Sequence, residues 1–441
     1  MRDHVELADG TSSRGELIRM SVQELIASLI GENPPIRVTA FDGTDMGPAD
    51  ATTHIEILSK DAIQRIITAR GQEIGFSRAI IAGEMEVHGD IFGVFDVNGA
   101  VAKPSLDMQM IKAAAKIVGI ENPRDLRDMK RLAPPPEEIV LKGRLHSRAR
   151  DAAAISSHYD VSNDFYDLVL GPAMTYSCAV FETETDGLAT AQANKHDLVC
   201  RKLDLQPGMR LLDIGCGWGS MVMHAAQHYG VNAVGVTISM EQAERARKRV
   251  TDAGLADRVE IRIQDYRDIP DGPYDAISSI GMAEHVGGPT ELRRYFSQAR
   301  KLLTPNGRFL NHAISRAANF DGLGDKGFIQ RYVFPDGELH EIGASISAMQ
   351  ESGFEARHME SFRLHYAKTL RQWVANLEAN WETALAEVGR GRAMVWRLYM
   401  AGSAVAFERN EIQLHQVLAV RDTADNETIP LLNDWPHRSV R

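Results

Sequence analysis

Residues 211–220 constrain the fold of this chain more than any other stretch. They read Leu-Leu-Asp-Ile-Gly-Cys-Gly-Trp-Gly-Ser, an apolar run that ends in an acid and continues into glycines at alternate positions. The run predicts a buried strand, the glycines predict a tight turn, and the apolar residues after Ser220 predict a helix. Glycine permits positive φ and lets a backbone approach a ligand closely. The spacing GxGxG does not match the GxGxxG that binds a dinucleotide pyrophosphate.

The order of elements around this turn predicts an α/β fold. From residue 151 onward, segments with helical periodicity alternate with short apolar runs. Such alternation predicts a doubly wound, mostly parallel sheet, in which ligands bind at the carboxyl ends of the strands. A run at 411–418 predicts one more strand, antiparallel at the edge of the sheet. The other apolar runs after the glycine turn are 233–237, 259–263, 274–280 and 307–314.

The chain is long enough for two domains, since its 441 residues exceed what one hydrophobic core usually serves. We predict a smaller N-terminal α+β domain at 1–122 and the α/β domain at 151–441. Three consecutive prolines follow Ala133 and cannot lie inside a helix. They indicate an extended linker over 123–150.

The N-terminal domain shows no set of residues that indicates catalysis. Its polar start at 1–12 predicts disorder, and the apolar positions within 17–29 predict an amphipathic helix. Runs at 36–41 and 53–58 predict strands, and a further helix is predicted near 105–119. We expect this domain to be structural, to handle substrate or to form a dimer, and we expect a homo-oligomer.

Basic residues concentrate in the linker, although the chain as a whole has a formal net charge of −11. The overall charge argues against a nucleic-acid partner. The local cluster suggests an anionic surface as partner, and the alternative is a merely solvated linker. The basic residues are Arg124, Arg127, Lys130, Arg131, Lys142, Arg144, Arg148 and Arg150.

The sequence predicts a cytoplasmic protein. No run of about 18 apolar residues is present to span a membrane, and the first residues lack the apolar core of a signal peptide. The three cysteines, Cys178, Cys200 and Cys216, form neither a disulfide pattern nor a zinc pattern. We therefore predict reduced cysteines and no metal.

Residues 213–219 resemble the first motif of class I S-adenosylmethionine-dependent methyltransferases, the alternative being an ordinary strand-to-helix turn. The resemblance implies a Rossmann-like, seven-stranded sheet. The second strand ends in Val-Thr-Ile-Ser instead of the usual ribose-binding acid, so Thr237 and Gln242 are the available polar groups. The third strand ends at Gln264 and Asp265. Asp265 is placed to accept from the adenine amino group, or else to cap a helix.

Five separated motifs resemble the cyclopropane fatty acid synthase family, which includes the mycolic acid cyclopropane synthases. They occur in the family's order over roughly 150–420, whereas the N-terminal part is similar only loosely. The run at 325–340 and the ending Glu-Ile-Gln-Leu-His-Gln-Val-Leu look most like the actinobacterial branch that methylates oleoyl phospholipids toward 10-methylstearic (tuberculostearic) acid. The motifs are His-Tyr-Asp-Val-Ser-Asn-Asp-Phe-Tyr-Asp (158–167), Thr-Tyr-Ser-Cys-Ala (175–179), Ser-Ile-Gly-Met-Ala-Glu-His-Val-Gly (279–287), His-Ala-Ile (312–314) and His-Tyr-Ala-Lys-Thr-Leu (365–370).

The resemblance implies a methyltransferase that acts on the cis double bond of an acyl chain held in an apolar tunnel. It implies S-adenosylmethionine as methyl donor and a bound bicarbonate ion as base. It also implies phospholipid substrate at the inner face of the cell membrane and, for a methylene product, a separate reductase. The implied catalytic residues are Cys178, Glu284, His312, Ile314 and Tyr366. The implied cofactor-binding residues are Tyr176, Ser177, Asp213, Gly215, Gly217, Thr237, Gln242, Gln264 and Asp265.

Three other interpretations follow from the same motifs. A cyclopropane synthase would use the same pocket on the same substrate. A small-molecule N- or O-methyltransferase would need neither a base pocket nor a tunnel. A non-catalytic lipid carrier would predict a damaged glycine turn or the loss of Glu284, and both are intact.

Overall fold

The computed structural model describes residues 21–69, 72–95, 114–119, 131–159, 162–318 and 327–421. The chain divides into two compact units, Met1–Ala133 and Pro134–Arg441. The predicted disorder at 1–12, most of the predicted helix at 105–119, and Arg124, Arg127 and Lys130 lie outside the described residues. No helix among the described residues is long and apolar enough to cross a membrane.

The first unit is a small α+β fold, as the sequence predicts. Helix α1 begins after Ser21, whose hydroxyl accepts from the Glu24 N–H at 3.2 Å while the Glu24 carboxylate accepts from the Ser21 N–H at 2.6 Å. The four strands pair in the order β2-β1-β3-β4, and β1 and β3 are parallel. The elements are α1 (Val22–Ile30), β1 (Arg37–Ala40), β2 (Asp45–Met46), β3 (Thr53–Ile57), α2 (Lys60–Thr68), α3 (Gln72–Ile81) and β4 (Met85–Gly89).

The second unit is built on a seven-stranded main sheet with the order β7-β6-β5-β8-β9-β12-β11. Its first half alternates strands and helices, which confirms the predicted doubly wound architecture. Buried apolar clusters lie on both faces of the sheet. The elements are α4 (Arg148–Tyr159), α5 (Asn163–Leu170), α6 (Leu188–Lys202), β5 (Arg210–Ile214), α7 (Ser220–Tyr229), β6 (Asn232–Thr237), α8 (Met240–Asp252), β7 (Val259–Ile263), β8 (Tyr274–Ile280), α9 (Pro289–Leu302) and β9 (Leu303–Arg316).

The remaining elements complete the sheet and cover one end of it. A two-residue strand, β10, pairs with the end of β9. The long helix α13 is interrupted at Gly389, where φ is 75°. The elements are α10 (Phe328–Tyr332), β10 (His340–Glu341), α11 (Ile342–Glu351), β11 (Phe354–Ser361), α12 (Arg363–Ala379), α13 (Trp381–Glu408) and β12 (Ile412–Arg421).

The predicted strand at 411–418 exists and is antiparallel, but its predicted position at the edge is wrong. β12 lies between β9 and β11 and pairs antiparallel with both. Its residues are buried almost without interruption, as expected for an interior strand. The outer strand, β11, is mostly half-buried and lacks an apolar run, so its sequence gives little sign of a strand.

The strand order reverses beside β5, which has β6 on one side and β8 on the other. In open parallel sheets, ligands bind at such a switch point, outside the carboxyl ends of the strands. The glycine turn follows β5 at this end of the sheet.

Candidate active site

The glycine turn after β5 leaves space for a ligand beside the backbone. Gly215, Gly217 and Gly219 have φ values of 81°, 53° and 80°, in the region that favours glycine. A Cβ added to Gly217 would meet no atom within 4 Å. Gly215 and Gly217 line a cavity at the ends of β5, β6 and β7, and we refer to it as the first cavity.

A buried acid and a buried ammonium group line the first cavity. Asp213 is 2% exposed, its Oδ1 accepts from Ser278 Oγ at 2.7 Å, and burial raises its pKa to about 6. Lys195 on α6 is fully buried and donates from Nζ to Ser177 Oγ at 3.1 Å. Burial lowers the pKa of Lys195 to about 7. A zwitterionic ligand would supply the complementary charges that such groups need.

The ends of β6 and β7 supply further polar groups. Thr237 Oγ1 donates to Gln242 Oε1 at 2.9 Å, and both side chains are buried. Asp265 accepts from the Arg267 N–H at 2.9 Å and from the Arg267 guanidinium at 2.6 Å. Burial opposes ionisation of Asp265, but the Arg267 hydrogen bonds outweigh burial and lower its pKa. Asp265 therefore caps the short helical turn Tyr266–Asp268 and also lines the cavity.

The structure brings together every residue that the sequence predicts to bind the cofactor. Their binding role stays a prediction, but all nine line the first cavity. They are Tyr176, Ser177, Asp213, Gly215, Gly217, Thr237, Gln242, Gln264 and Asp265.

A second, mainly apolar chamber adjoins the first cavity. Apolar side chains from α10, α12, α13 and β12 line it, among them Ile329, Leu370, Phe407 and Leu414. Because the two spaces have residues in common, a molecule in one would lie next to a molecule in the other. The shared lining residues are Tyr176, Ser177, Gly281, His285, Phe334 and Gly337.

Glu284 places a carboxyl group in this apolar chamber. Its Oε1 accepts from the Ile314 N–H at 2.7 Å. Its Oε2 is buried and has no hydrogen-bond partner in the described part of the chain. Burial raises the pKa of Glu284 to about 7, which suits a group that exchanges protons near neutral pH. Ile314, one of the implied catalytic residues, donates from its backbone N–H to Glu284 in this structure.

His312 lines the same chamber and is almost completely buried. Its Nδ1 lies 3.2 Å from Gln416 Nε2. Its Nε2 has no hydrogen-bond partner among the described residues. Burial lowers the pKa of His312 well below the ordinary value, so the ring is neutral at physiological pH.

Tyr366 lines the chamber and packs on Phe407, with ring centroids 4.7 Å apart. Cys178 is fully buried but does not belong to the chamber lining. Its Sγ donates to the Ala179 carbonyl at 3.2 Å, and burial raises the pKa of the thiol. The structure thus brings together four of the five predicted catalytic residues and places Cys178 in the packed interior.

A protein-family model described as mycolic acid cyclopropane synthetase matches residues 146–417 of this chain. The chain belongs to this family. The match includes the glycine turn, both cavities and all predicted site residues.

Two known proteins are similar to the chain over different lengths. A probable fatty acid methyltransferase of Mycobacterium tuberculosis is 42% identical over 437 residues, covering 95% of this chain and 99% of the relative. The cyclopropane-fatty-acyl-phospholipid synthase of Escherichia coli K12 is 38% identical over 277 residues, covering 63% of this chain and 70% of the relative.

Solved structures of the family have the same fold as the second unit. The cyclopropane synthase MmaA2 from Mycobacterium tuberculosis matches with a TM-score of 0.58 and 33% identity, covering 61% of this chain and 98% of that chain. The mycolic acid cyclopropane synthase CmaA1, solved with SAH and CTAB, matches with a TM-score of 0.58, 35% identity and coverage of 61% and 98%. These matches confirm the predicted class I fold, and the chain is an S-adenosylmethionine-dependent methyltransferase.

Sequence reasoning missed Lys195, the buried cation of this methyltransferase's first cavity. A signal for it exists in α6. Val199 and Cys200 lie on the buried face of this helix, and Lys195 and His196 precede them by one helical turn. Polar residues that continue an apolar helical face are often functional, because burial without a partner is costly.

Proposed function

We propose that this methyltransferase transfers a methyl group to the cis double bond of oleoyl phospholipids and produces a 10-methylene acyl chain, the precursor of tuberculostearic acid. The relative that matches nearly the whole chain bears the name of a fatty acid methyltransferase, which supports acyl chains as the substrate class. A separate reductase would then convert the methylene group to a methyl branch.

The observation that carries this proposal is the apolar chamber beside the first cavity. Its lining suits a hydrocarbon chain, and the six shared residues allow the double bond to lie next to the methyl donor. When bound, S-adenosylmethionine supplies an electrophilic methyl group. A small polar acceptor would leave this apolar surface without a function, which argues against N- or O-methylation of a small molecule.

The chamber also fits the bicarbonate ion that the family resemblance implies. Three buried polar atoms without partners among the described residues, Glu284 Oε2, His312 Nε2 and Gln330 Oε1, belong to side chains that line it. Glu284 and His312 would hold the ion, with Tyr366 beside them. Bicarbonate bound there supplies a base in a space from which the apolar side chains exclude water.

The product depends on which proton leaves after methyl transfer. Transfer to the double bond leaves a cation on the neighbouring carbon. Loss of a proton from the new methyl group would then close a cyclopropane ring. A hydride shift from the methyl-bearing carbon followed by the same proton loss gives an exocyclic methylene instead. The cyclopropane route is the alternative function, and the names of several family members support it.

The deciding experiment incubates the purified enzyme with methyl-labelled S-adenosylmethionine and dioleoyl phosphatidylglycerol vesicles. The proposal predicts labelled acyl chains that have gained one CH₂ and still contain a double bond. That double bond should give vinylidene proton signals in NMR and should be cleaved by ozonolysis. Upfield cyclopropane proton signals would instead identify the product as the cyclopropane of the alternative function. Absence of label from lipid, with methylation of a small amine or phenol, would overturn both.

We further propose that the linker docks the enzyme on anionic membrane lipid. Lys142 and Arg144 are exposed and form no ion pair with another described residue, whereas Arg148 and Arg150 pair with Asp268 and Asp336. The docking surface therefore consists of Lys142 and Arg144 together with two exposed apolar side chains, Val140 (79% exposed) and Leu145 (56%). Cations that attract phosphates and apolar groups that enter the headgroup layer suit a lipid surface.

A further inference from the structure

A row of polar side chains crosses three adjacent strands behind the chamber. In the strand register, Glu360 of β11 faces Gln416 of β12, and Gln416 faces His312 of β9. Lys202, at the end of α6, reaches this row from outside the sheet. Its Nζ lies 2.6 Å from Glu360 Oε2 and 2.7 Å from Gln416 Oε1. Lys202 and Gln416 are both fully buried.

Lys202 determines which way the Gln416 amide points. An ammonium group only donates hydrogen bonds, so the atom that faces it must be the amide oxygen. The NH₂ group of Gln416 then faces His312, and its nitrogen lies 3.2 Å from Nδ1. Because this NH₂ group also only donates, His312 Nδ1 must accept. A neutral imidazole that accepts at Nδ1 carries its hydrogen on Nε2.

We propose that Lys202 and Gln416 are positioning residues that hold His312 as the Nε2–H tautomer, so that it donates into the chamber beside Glu284. Its Nε2 is the buried ring nitrogen without a partner in the described structure. His312 as a donor beside the Glu284 carboxylate as an acceptor matches an oxyanion that carries one hydroxyl group. The inference therefore rests on the proposed base pocket and explains how the sheet aligns it.

The tautomer is measurable without turnover. In protein labelled with ¹⁵N-histidine, protonated and unprotonated ring nitrogens give well-separated signals, and a His312→Gln variant identifies the His312 pair. The native protein should show Nε2 protonated and Nδ1 unprotonated. A native spectrum with the hydrogen on Nδ1 would overturn the proposal, whatever the variants do.

Gln416→Glu tests the mechanism with a side chain of the same shape. Its carboxylate accepts from Lys202 and also from His312 Nδ1–H, so the His312 hydrogen should move to Nδ1. The matched control is Gln413→Glu on the same strand, where Gln413 is half-buried and bonds to Asn410. The control should leave the His312 signals unchanged. An unchanged His312 tautomer in folded Gln416→Glu protein would contradict the role of Gln416.

Activity then separates this inference from the proposed function. If both hold, Gln416→Glu should lower kcat roughly 100-fold, as for loss of a general acid–base contact, with cofactor Kd within about threefold of native. If the tautomer switches but kcat does not fall, Lys202 and Gln416 still set the tautomer, and the base pocket around His312 is refuted instead.

Discussion

Glu284→Gln is expected to stabilise the protein while removing its activity. Burial raises the pKa of Glu284 from 4.5 to about 7, which corresponds to roughly 3 kcal/mol against the ionised form. Because the folded state holds this proton more tightly than the unfolded state, stability falls as pH rises from 4.5 to 7 and stays lowered above pH 7. Glutamine does not ionise, so the variant avoids this cost. Its NH₂ group would lack a hydrogen-bond partner, which lowers the free energy of unfolding of the variant by about 1 kcal/mol. At pH 8 the variant should therefore be more stable by about 2 kcal/mol.

Two assays check this expectation together. Thermal unfolding of the cofactor-free protein should show a Tm gain of a few degrees at pH 8 and none near pH 5. Turnover should fall by about 10²–10⁴, with cofactor affinity near native. The native kcat should decline below about pH 7 as Glu284 becomes protonated. Glu244→Gln, on the exposed face of α8, serves as control and should change neither quantity. A variant with kcat within threefold of native, or with no pH-dependent stability gain, would refute the reasoning.

Three other substitutions test cofactor binding in the first cavity and membrane docking by the linker. Gly217→Val should weaken S-adenosylmethionine binding at least tenfold in calorimetry, because its side chain enters the first cavity. The control Gly254→Val also stands at positive φ (67° against 53° at Gly217) in open space elsewhere, and it should not weaken binding. Equal affinities of the two variants would refute the cavity assignment. Lys195→Met should also raise the cofactor Kd about tenfold or more, since a ligand carboxylate would lose a charged partner, and unchanged affinity would exclude that contact. Arg144→Glu should weaken binding to anionic vesicles and make that binding less sensitive to salt. Arg294→Glu on α9 is the control and should leave both unchanged. Vesicle binding of the native protein that does not depend on salt would contradict docking by the linker.

The sequence predicts the first cavity well because its signals are local. An apolar run, an acid and alternating glycines define β5 and its turn within ten residues. Thr237 is the last residue of β6, Gln264 and Asp265 directly follow β7, and parallel strands bring such positions to one edge of the sheet. The chain order of elements therefore suffices to place these residues together.

The sequence predicts the apolar chamber less completely because the geometry of this chamber depends on contacts between distant segments. Cys178 lies within a recognisable motif, yet side-chain packing keeps it out of the chamber lining. The contact between Lys202 and Gln416 joins residues 214 positions apart and requires the pairing of β12 with both β9 and β11. The predicted edge position of β12 is wrong because β11, which lies outside it, has almost no apolar pattern.

The interior position of β12 has a consequence for synthesis on the ribosome. β9 and β11 are made first, and until residues 412–421 emerge, each of them has an unpaired edge where β12 belongs. Unpaired edges of this kind invite association with other chains. Gln416 also arrives only with β12, so a nascent chain that could already form the glycine turn would still lack the hydrogen bond that orients His312. Formation of the first cavity can therefore precede β12, whereas the orientation of His312 in the apolar chamber has to wait for β12.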